Sequence, residues 1–170
     1  MMSRDQSQIT NQTFPLILAP AGNRASFLAA LSAGAEGIYC GLKTFSARMA
    51  AKNFSVEELI PLTELAHEKG TKVYITINSL LKPGELNPAG KLLDQLNRRV
   101  TPDALIIQDL SLLNLVRETG FSGEIHLSTL AAVTFPQALI EIRKKLPRVR
   151  CVVVPREIGI DAIKDMAQTC

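Results

Sequence analysis

Three side chains able to move a proton follow short apolar runs in this chain. His126 is an imidazole that can give or take a proton near neutral pH, and Asp109 and Glu157 are carboxylates. We interpret these three as the candidate catalytic residues. Each has a structural alternative, because His126 could be a hydrogen-bonded interior residue, Asp109 could cap a helix, and Glu157 could pair with Arg156. Ser128 would share a strand face with His126, but a nucleophile also needs a contacting base and an orienting acid, so serine-protease chemistry is not indicated.

A second set of amide, hydroxyl and guanidinium side chains also follows apolar runs and could bind a substrate. The candidate substrate-binding residues are Asn23, Arg48, Asn53, Asn78, Gln108, Ser128, Thr129 and Arg156. Arg48 lies between Lys43 and Lys52 in a long basic segment, and with Arg156 these cations could bind a carboxylate or phosphate. The alternatives are a solvated loop for the basic segment and a tight turn for Asn23.

The cysteines do not indicate a metal site or a disulfide framework. Cys40, Cys151 and Cys170 are widely spaced without a CxxC pair, and His67-Glu68 lacks the second histidine of a zinc protease motif. We predict that Cys40 and Cys151 are inert buried strand residues. No metal ligands and no cofactor within the chain are predicted, and a reducing cytoplasmic location is the default expectation.

The elements that would position the candidate residues alternate between strand and helix. Strands are predicted over Leu16–Ala19, Gly37–Cys40, Lys72–Asn78, Ala104–Gln108, Glu124–Leu127 and Val149–Val154. Helices are predicted over Arg24–Ala33, Val56–Lys69, Pro88–Arg99, Leu110–Thr119, Pro136–Lys145 and Ile158–Ala167. Strict alternation predicts a parallel sheet with right-handed crossovers.

The strand patterns favour a barrel over an open sheet covered by helices on both faces. Residues 72–78 and 124–128 alternate apolar and polar side chains, whereas strands buried on both faces are apolar throughout. No GxGxxG dinucleotide motif follows a strand. A (β/α) barrel has eight units, so six predict an incomplete (β/α) TIM-barrel-like domain. Its two unpaired edges predict self-association or a partner chain that covers them.

Length and composition fit one globular domain. The chain has 170 residues, 46% of them hydrophobic and 21% charged. We assign residues 14–170 to the partial barrel and residues 1–13, which lack an apolar core, to a disordered leader. No apolar run approaches the ~20 residues of a membrane span. A net charge of +3 is too small to indicate nucleic-acid binding by itself, and the basic run 143–150 is typical of a helix C-terminus or of a nucleic-acid patch.

Six ordered motifs resemble the U32 peptidase (collagenase-like protease) family. They are LAPAGN at 18–23, GAEGIYCGLK at 34–43 with FSAR at 45–48 and AKNF at 51–54, KVYITIN at 72–78, DALIIQD at 103–109, HLST at 126–129, and RE at 156–157. The chain departs from the family pattern at Leu130, where glutamine is usual, and at Phe135, where asparagine is usual. These departures predict an altered polar contact at the rim of the barrel.

The resemblance implies two different activities. The family is named for peptidases, with collagenase activity claimed for some members, whereas others resemble oxygen-independent hydroxylation proteins acting on tRNA, rRNA or ubiquinone precursors. Prephenate is implied as the oxygen source of the RNA reactions. An iron–sulfur cluster is implied only for cysteines beyond this chain. We therefore expect the N-terminal barrel portion of a hydroxylation protein, binding RNA or an anionic small molecule, with a non-catalytic scaffold chain and a true peptidase as the alternatives.

Overall fold

A computed structural model describes residues 16–47 and 52–169. The predicted leader, residues 1–13, lies outside these residues. The strands are β1 Leu18–Ala21, β2 Gly37–Gly41, β3 Lys72–Ile77, β4 Ala104–Ile107, β5 Glu124–Leu127 and β6 Val149–Val152. The helices are α1 Arg24–Ser32, α2 Val56–Glu68, α3 Leu86–Gln95, α4 Leu112–Glu118, α5 Pro136–Lys145 and α6 Ile160–Gln168. A π-helical turn, Leu96–Val100, continues α3, and a 3-10 turn, Thr129–Ala131, follows β5.

The six strands form one parallel sheet in the order β1-β2-β3-β4-β5-β6. This order confirms the predicted incomplete (β/α) barrel with six units. Within the described residues β1 and β6 each pair on one side only, so the sheet does not close. The carboxyl ends of all six strands meet at one edge, called the rim below.

The alternation predicted for β3 separates the two faces of the sheet. Val73, Ile75 and Ile77 are at most 1% exposed and pack against the helices in the hydrophobic core. Tyr74 and Thr76 lie between them and face the concave side, called the inner face below. The strand register extends the inner face across the sheet, because Thr76 of β3 pairs with Ile106 of β4, and Ile106 pairs with His126 of β5.

The starts of α3, α4 and α6 each differ by two residues from the sequence predictions. α4 begins at Leu112 rather than Leu110, and α6 at Ile160 rather than Ile158. The predicted helix Pro88–Arg99 begins two residues earlier and changes to π-helical hydrogen bonding at Leu96. Thr101, with a positive φ of 51°, ends the segment. The start of α2 agrees with the predicted start at Val56, where Ser55 and Glu58 form a reciprocal capping box.

None of the helices in the described ranges has the length and apolar character needed to cross a bilayer.

Candidate functional site

A cavity of about 290 Å³ opens at the rim of the sheet. Its walls come from the ends of β1, β2, β3 and β5, from the inner face of β4, from Val153 just after β6, and from the segment between β2 and α2. The lining residues are Leu18, Pro20, Ala21, Gly22, Tyr39, Cys40, Gly41, Ser46, Asn53, Thr76, Asn78, Ile106, Ser128, Thr129 and Val153. Functional side chains of parallel barrels gather at this end of the strands. The cavity is therefore the candidate functional site.

Three side-chain oxygens converge on Gly41 in this cavity. A Cβ atom at Gly41 would lie 2.9 Å from Asn53 Oδ1, 3.0 Å from Ser46 Oγ and 3.3 Å from Thr76 Oγ1. Ser46, Asn53 and Thr76 are all buried, with at most 8% of each residue exposed. Because Gly41 has no side chain, polar groups from β3 and from the segment between β2 and α2 can approach the backbone of β2.

Backbone geometry holds Asn53 in place. Its φ of 46° lies in the left-handed region, which asparagine tolerates better than most residues. Its N–H donates to the Gly22 carbonyl at 3.1 Å, and the next N–H, of Phe54, donates to the Gly41 carbonyl at 3.0 Å. These bonds tie the end of the segment to β1 and β2, so that a residue distant in sequence lines the cavity.

Asn78 anchors the other end of the same segment. It follows β3 directly, is half-buried, and its Oδ1 accepts the Ala47 N–H at 3.0 Å. Since Ala47 comes just before the undescribed residues 48–51, Asn78 links the β3 rim to the start of the basic part of the segment. Arg48, one of the predicted substrate-binding residues, lies outside the described residues.

Ser128 and Thr129 form the β5 side of the cavity. The Ser128 N–H donates to the Ile107 carbonyl at 2.7 Å, and its Oγ accepts the Leu130 N–H at 3.3 Å. Ser128 is buried and Thr129 is exposed at the start of the 3-10 turn. Ser128 therefore has a turn-forming role as well as a position on the cavity wall.

Four predicted residues lie near the rim without lining the cavity. Asn23 caps α1, with its Oδ1 accepting the Ser26 N–H at 3.0 Å. Gln108 is half-buried directly after β4. Arg156 and Glu157 are exposed in the turn that follows β6.

Asp109 ties two rim segments together. Its Oδ2 accepts the Leu81 N–H and its Oδ1 accepts the Ser111 N–H, both at 2.9 Å. Burial raises the pKa of the Asp109 carboxyl, but the hydrogen bonds from Leu81 and Ser111 outweigh it and hold that pKa below its ordinary value. A carboxylate that accepts two backbone bonds is held ionised, which suits an anchoring role.

His126 is on the inner face of the sheet but is not among the residues that line the rim cavity. Its Nε2 lies 2.9 Å from Glu124 Oε2, at the beginning of β5, and its ring packs edge-on to Tyr74 with 5.3 Å between centroids. Only 7% of His126 is exposed. Of the three candidate catalytic residues, His126, Asp109 and Glu157, the structure places none among the cavity-lining side chains.

The described cysteines do not fit the iron–sulfur cluster implied for the family. Cys40 faces the helices, in register with Ile75, whereas Cys151 is on the inner face opposite His126. Among the described residues, no three His, Cys, Asp or Glu side chains lie together as a metal site requires. The prediction that both cysteines are buried is wrong for Cys151, which is exposed on β6, an edge strand of the sheet within the described residues.

Several cavity residues were not singled out by the sequence. Gly41, Ser46, Thr76 and Tyr39 line the cavity but are small or ordinary strand residues, and only the alternation of β3 signalled that Thr76 faces inward. Conversely, Lys43 of the basic segment forms an ion pair with Glu58 of α2 at 2.8 Å. That pairing directs the Lys43 ammonium toward α2, away from the cavity.

The cavity offers hydrogen bonding more than proton transfer. Its described lining is composed of hydroxyl, amide and apolar groups. Such uncharged groups can form hydrogen bonds with the polar edge of a neutral ring or with a carbonyl group.

Comparison with known proteins places these features in a family. The family model of peptidase family U32 matches residues 22–170. An uncharacterized protease of Methanocaldococcus jannaschii is 32% identical over 152 residues, covering 89% of this chain and 36% of that protein. A tRNA hydroxylation protein of Haemophilus influenzae is 33% identical over 161 residues, covering 94% of this chain and 34% of that protein. The chain thus spans about a third of the length of these curated relatives.

A solved structure of a U32 peptidase has the same fold. It superposes with a TM-score of 0.73 at 13% identity, over 92% of this chain and 66% of that chain. The family model begins directly after β1 and covers β2 to β6, and the ordered motifs fall on the strand ends that build the rim. On this agreement of sequence, fold and rim, the chain belongs to peptidase family U32.

Proposed function

We propose that this chain is the N-terminal barrel portion of a protein that takes part in hydroxylation of RNA in the cytoplasm. Residues 14–170 would supply the rim cavity, and the rest of a longer protein would supply the remaining machinery. The observation that carries the proposal is the neutral, hydrogen-bonding lining of the cavity around Ser46, Asn53 and Asn78. The name of the tRNA hydroxylation protein that resembles this chain supports the same assignment.

Amide and hydroxyl groups suit a nucleobase. The edge of a base presents carbonyl oxygens, ring nitrogens and amino groups, which Asn and Ser side chains can pair with. Asn53 and Asn78 enter from different segments, and Ser128 lies on β5, so polar groups reach the cavity from several sides. We assign these three residues to base recognition.

Cationic side chains near the rim suit the negative charge of RNA. Two cations are exposed near the rim, Lys52 in the segment after β2 and Arg156 in the turn after β6. Arg48 belongs to the same basic segment as Lys52. Guanidinium groups bind phosphate through paired hydrogen bonds. We assign Arg48 and Arg156 to the RNA backbone or to an anionic small molecule bound beside it.

Peptide hydrolysis is less well supported by the described residues. The Ser128 hydroxyl accepts a backbone hydrogen bond, and His126 is bonded to Glu124 below the cavity. Burial raises the pKa of the Cys40 thiol to about 12, which keeps it protonated and a poor nucleophile. No step of the proposed reaction is assigned to a cluster, because Cys40 and Cys151 lie on opposite faces of the sheet.

The test is genetic and chemical. In the organism that encodes this chain, the gene is deleted, and total tRNA and rRNA are digested to nucleosides and analysed by mass spectrometry. We expect one hydroxylated nucleoside to disappear and to return with the wild-type gene and with Lys91→Ala, an exposed substitution on α3. Asn78→Ala should restore it only in part, because the Ala47 anchor and one cavity amide are lost together.

Two results would overturn the proposal. One is an unchanged set of hydroxylated nucleosides in the deletion strain, with or without a change in its quinones. The other is gelatin cleavage by the purified protein that is abolished by Ser128→Ala, which would assign a peptidase instead.

A further inference from the structure

Ser46 contributes a hydroxyl group without a hydrogen-bond partner to the wall of the rim cavity. The residue lines the cavity, only 5% of it is exposed, and its Oγ lies 3.0 Å from the position that a Cβ atom at Gly41 would take. Among residues 16–47 and 52–169 the Ser46 side chain forms no hydrogen bond. A buried hydroxyl without a partner is unfavourable, so one that lines a cavity points to a ligand atom that supplies the missing bond.

The backbone on both sides of Ser46 holds the hydroxyl at the cavity. Phe45 has a φ of 56°, in the left-handed region that bulky side chains rarely adopt, and its side chain is partly buried against the hydrophobic core. On the other side the Ala47 N–H donates to Asn78 Oδ1 at 3.0 Å. Strained backbone conformations of this kind concentrate at binding and catalytic sites. The strain at Phe45 is therefore a second observation that marks Ser46 as a functional position.

The hydrogen bonds of two other lining residues show which of their groups remain for a ligand. Asn78 uses its Oδ1 to accept the Ala47 N–H, which leaves the Nδ2 hydrogens without an acceptor among the described residues. Ser128 uses its Oγ to accept the Leu130 N–H, which leaves its hydroxyl proton. Both side chains therefore offer hydrogen-bond donors, as the Ser46 hydroxyl does.

Ser46 and Asn78 are neighbouring donors of one wall, because the Ala47 that follows Ser46 is bonded to Asn78. Thr76, which also approaches Gly41, donates its hydroxyl proton to the Cys40 carbonyl at 3.3 Å and has no donor left for a ligand. No charged side chain is among the described residues that line the cavity. The wall formed by Ser46 and Asn78 therefore suits an uncharged hydrogen-bond acceptor, such as the carbonyl oxygen of a base.

We propose that Ser46 is a substrate-binding residue that, together with Asn78, donates hydrogen bonds to a carbonyl oxygen of the base in the rim cavity. The inference rests on the proposed function, because that function assigns a base to this cavity. An amino group at the same place on the base would bring its hydrogens against the hydrogens of Asn78 and leave both partners unpaired. The two residues therefore select a carbonyl over an amino group.

The experiment measures nucleoside binding to the purified full chain by NMR. The signals followed are the backbone amides of Gly22 and Gly41, two lining residues that no variant replaces. The probes are two matched pairs, uridine with cytidine and inosine with adenosine, in which a ring carbonyl of the first is an amino group in the second. We expect the carbonyl member of at least one pair to bind more tightly.

Ser46→Ala should weaken the binding of that carbonyl member about two- to tenfold, the effect of one neutral hydrogen bond. Its melting temperature should not fall, because the hydroxyl that is removed has no partner in the described chain. Thr63→Val is the matched control, since it removes a buried hydroxyl on α2 that also lacks a described partner and does not line the cavity. This control should bind the nucleoside as the wild type does.

Asn78→Asp tests the donor role separately and keeps the result interpretable if Ser46→Ala fails to fold. It retains an oxygen for the Ala47 N–H but replaces the Nδ2 donors with an acceptor, so it should reverse the preference within the pair. The inference is overturned if no nucleoside shifts the two glycine signals, if folded Ser46→Ala binds like the wild type, or if Asn78→Asp keeps the wild-type preference.

Failure of the proposed function would look different. An unchanged set of hydroxylated nucleosides in the deletion strain rejects RNA hydroxylation, and the NMR titration still decides whether Ser46 contacts a carbonyl group. In a strain that does lose a nucleoside, full restoration by Ser46→Ala rejects the role of Ser46 alone.

Discussion

The Nε2 atom of His67 lies 2.9 Å from Oδ2 of Asp103, which joins the end of α2 to the residue just before β4. The same carboxylate oxygen accepts the backbone N–H of Val73 in β3 at 2.8 Å. One side chain thus holds a helix and two strands together at the end of the sheet opposite the rim. The sequence indicated only that His67 lies in the predicted helix Val56–Lys69.

Replacing Asp103 should destabilise the fold more than replacing its histidine partner. Asp103→Ala removes the acceptor of both bonds, so we expect a loss of about 1–2 kcal/mol in the free energy of unfolding. His67→Ala leaves the Val73 bond intact and should cost less than half as much. Urea unfolding of both variants measures the difference, and equal losses would show that the Val73 bond contributes nothing.

A methyl group at Gly41 should disrupt the rim. Its Cβ would lie 2.9 Å from Asn53 Oδ1, so that side chain would have to shift, and 3.0 Å from Ser46 Oγ, which would have to give way by a few tenths of an ångström. We expect Gly41→Ala to lower stability by about 1–3 kcal/mol. Gly22→Ala is the matched control, because nothing lies within 4 Å of its added Cβ. Thermal melting compares the two, and a Gly41→Ala protein as stable as Gly22→Ala would contradict the crowding.

The Asp109 anchor should give a pH-dependent contribution to stability. Its pKa is lower in the folded chain than the ordinary value of about 3.9, so its contribution is fully present above that value and is lost as pH falls through the lower folded pKa. Asp109→Asn should cost about 1 kcal/mol at neutral pH, discounted for its partial exposure.

The pH profile of the Asp109→Asn difference checks the sign. Urea unfolding of both proteins at neutral pH and below about pH 3 should show the difference shrinking in acid. A difference that stays constant or grows in acid would mean that the Leu81 and Ser111 bonds do not depend on the charge of the carboxylate.

The open edges of the sheet should promote association. Leu18 on β1 and Val153 after β6 are 42% and 36% exposed on the inner face, beside strand edges that pair with no other strand of the described residues. We expect the isolated chain to form dimers or larger species in light scattering, and Leu18→Lys with Val153→Lys to reduce them. Leu80→Lys, at a residue 65% exposed in the loop after β3, is the control. A stable monomer at high concentration would count against exposed edges.

The sequence determined the number, order and type of the elements. Apolar alternation in 72–78 has a period of two, and Ser55 with Glu58 marks a helix start, so local patterns were enough for a parallel six-unit sheet with one polar face. Because these patterns are local in sequence, they also account for the errors in the predicted element boundaries. The pattern could not show the π-helical turn at Leu96, or that β1 begins at Leu18, where pairing with Gly37 starts.

Only the tertiary structure decided which of the strand-end residues meet. One cavity is lined by Asn53, Asn78, Ser128 and Thr129. In contrast, Asn23 caps α1, and His126 is hydrogen-bonded to Glu124. Which side chains line the cavity depends on the register between the strands. It also depends on Asn53, whose left-handed backbone conformation brings the end of the segment between β2 and α2 back to β2. Both are relations between residues far apart in sequence, and the period of a single strand carries no information about either.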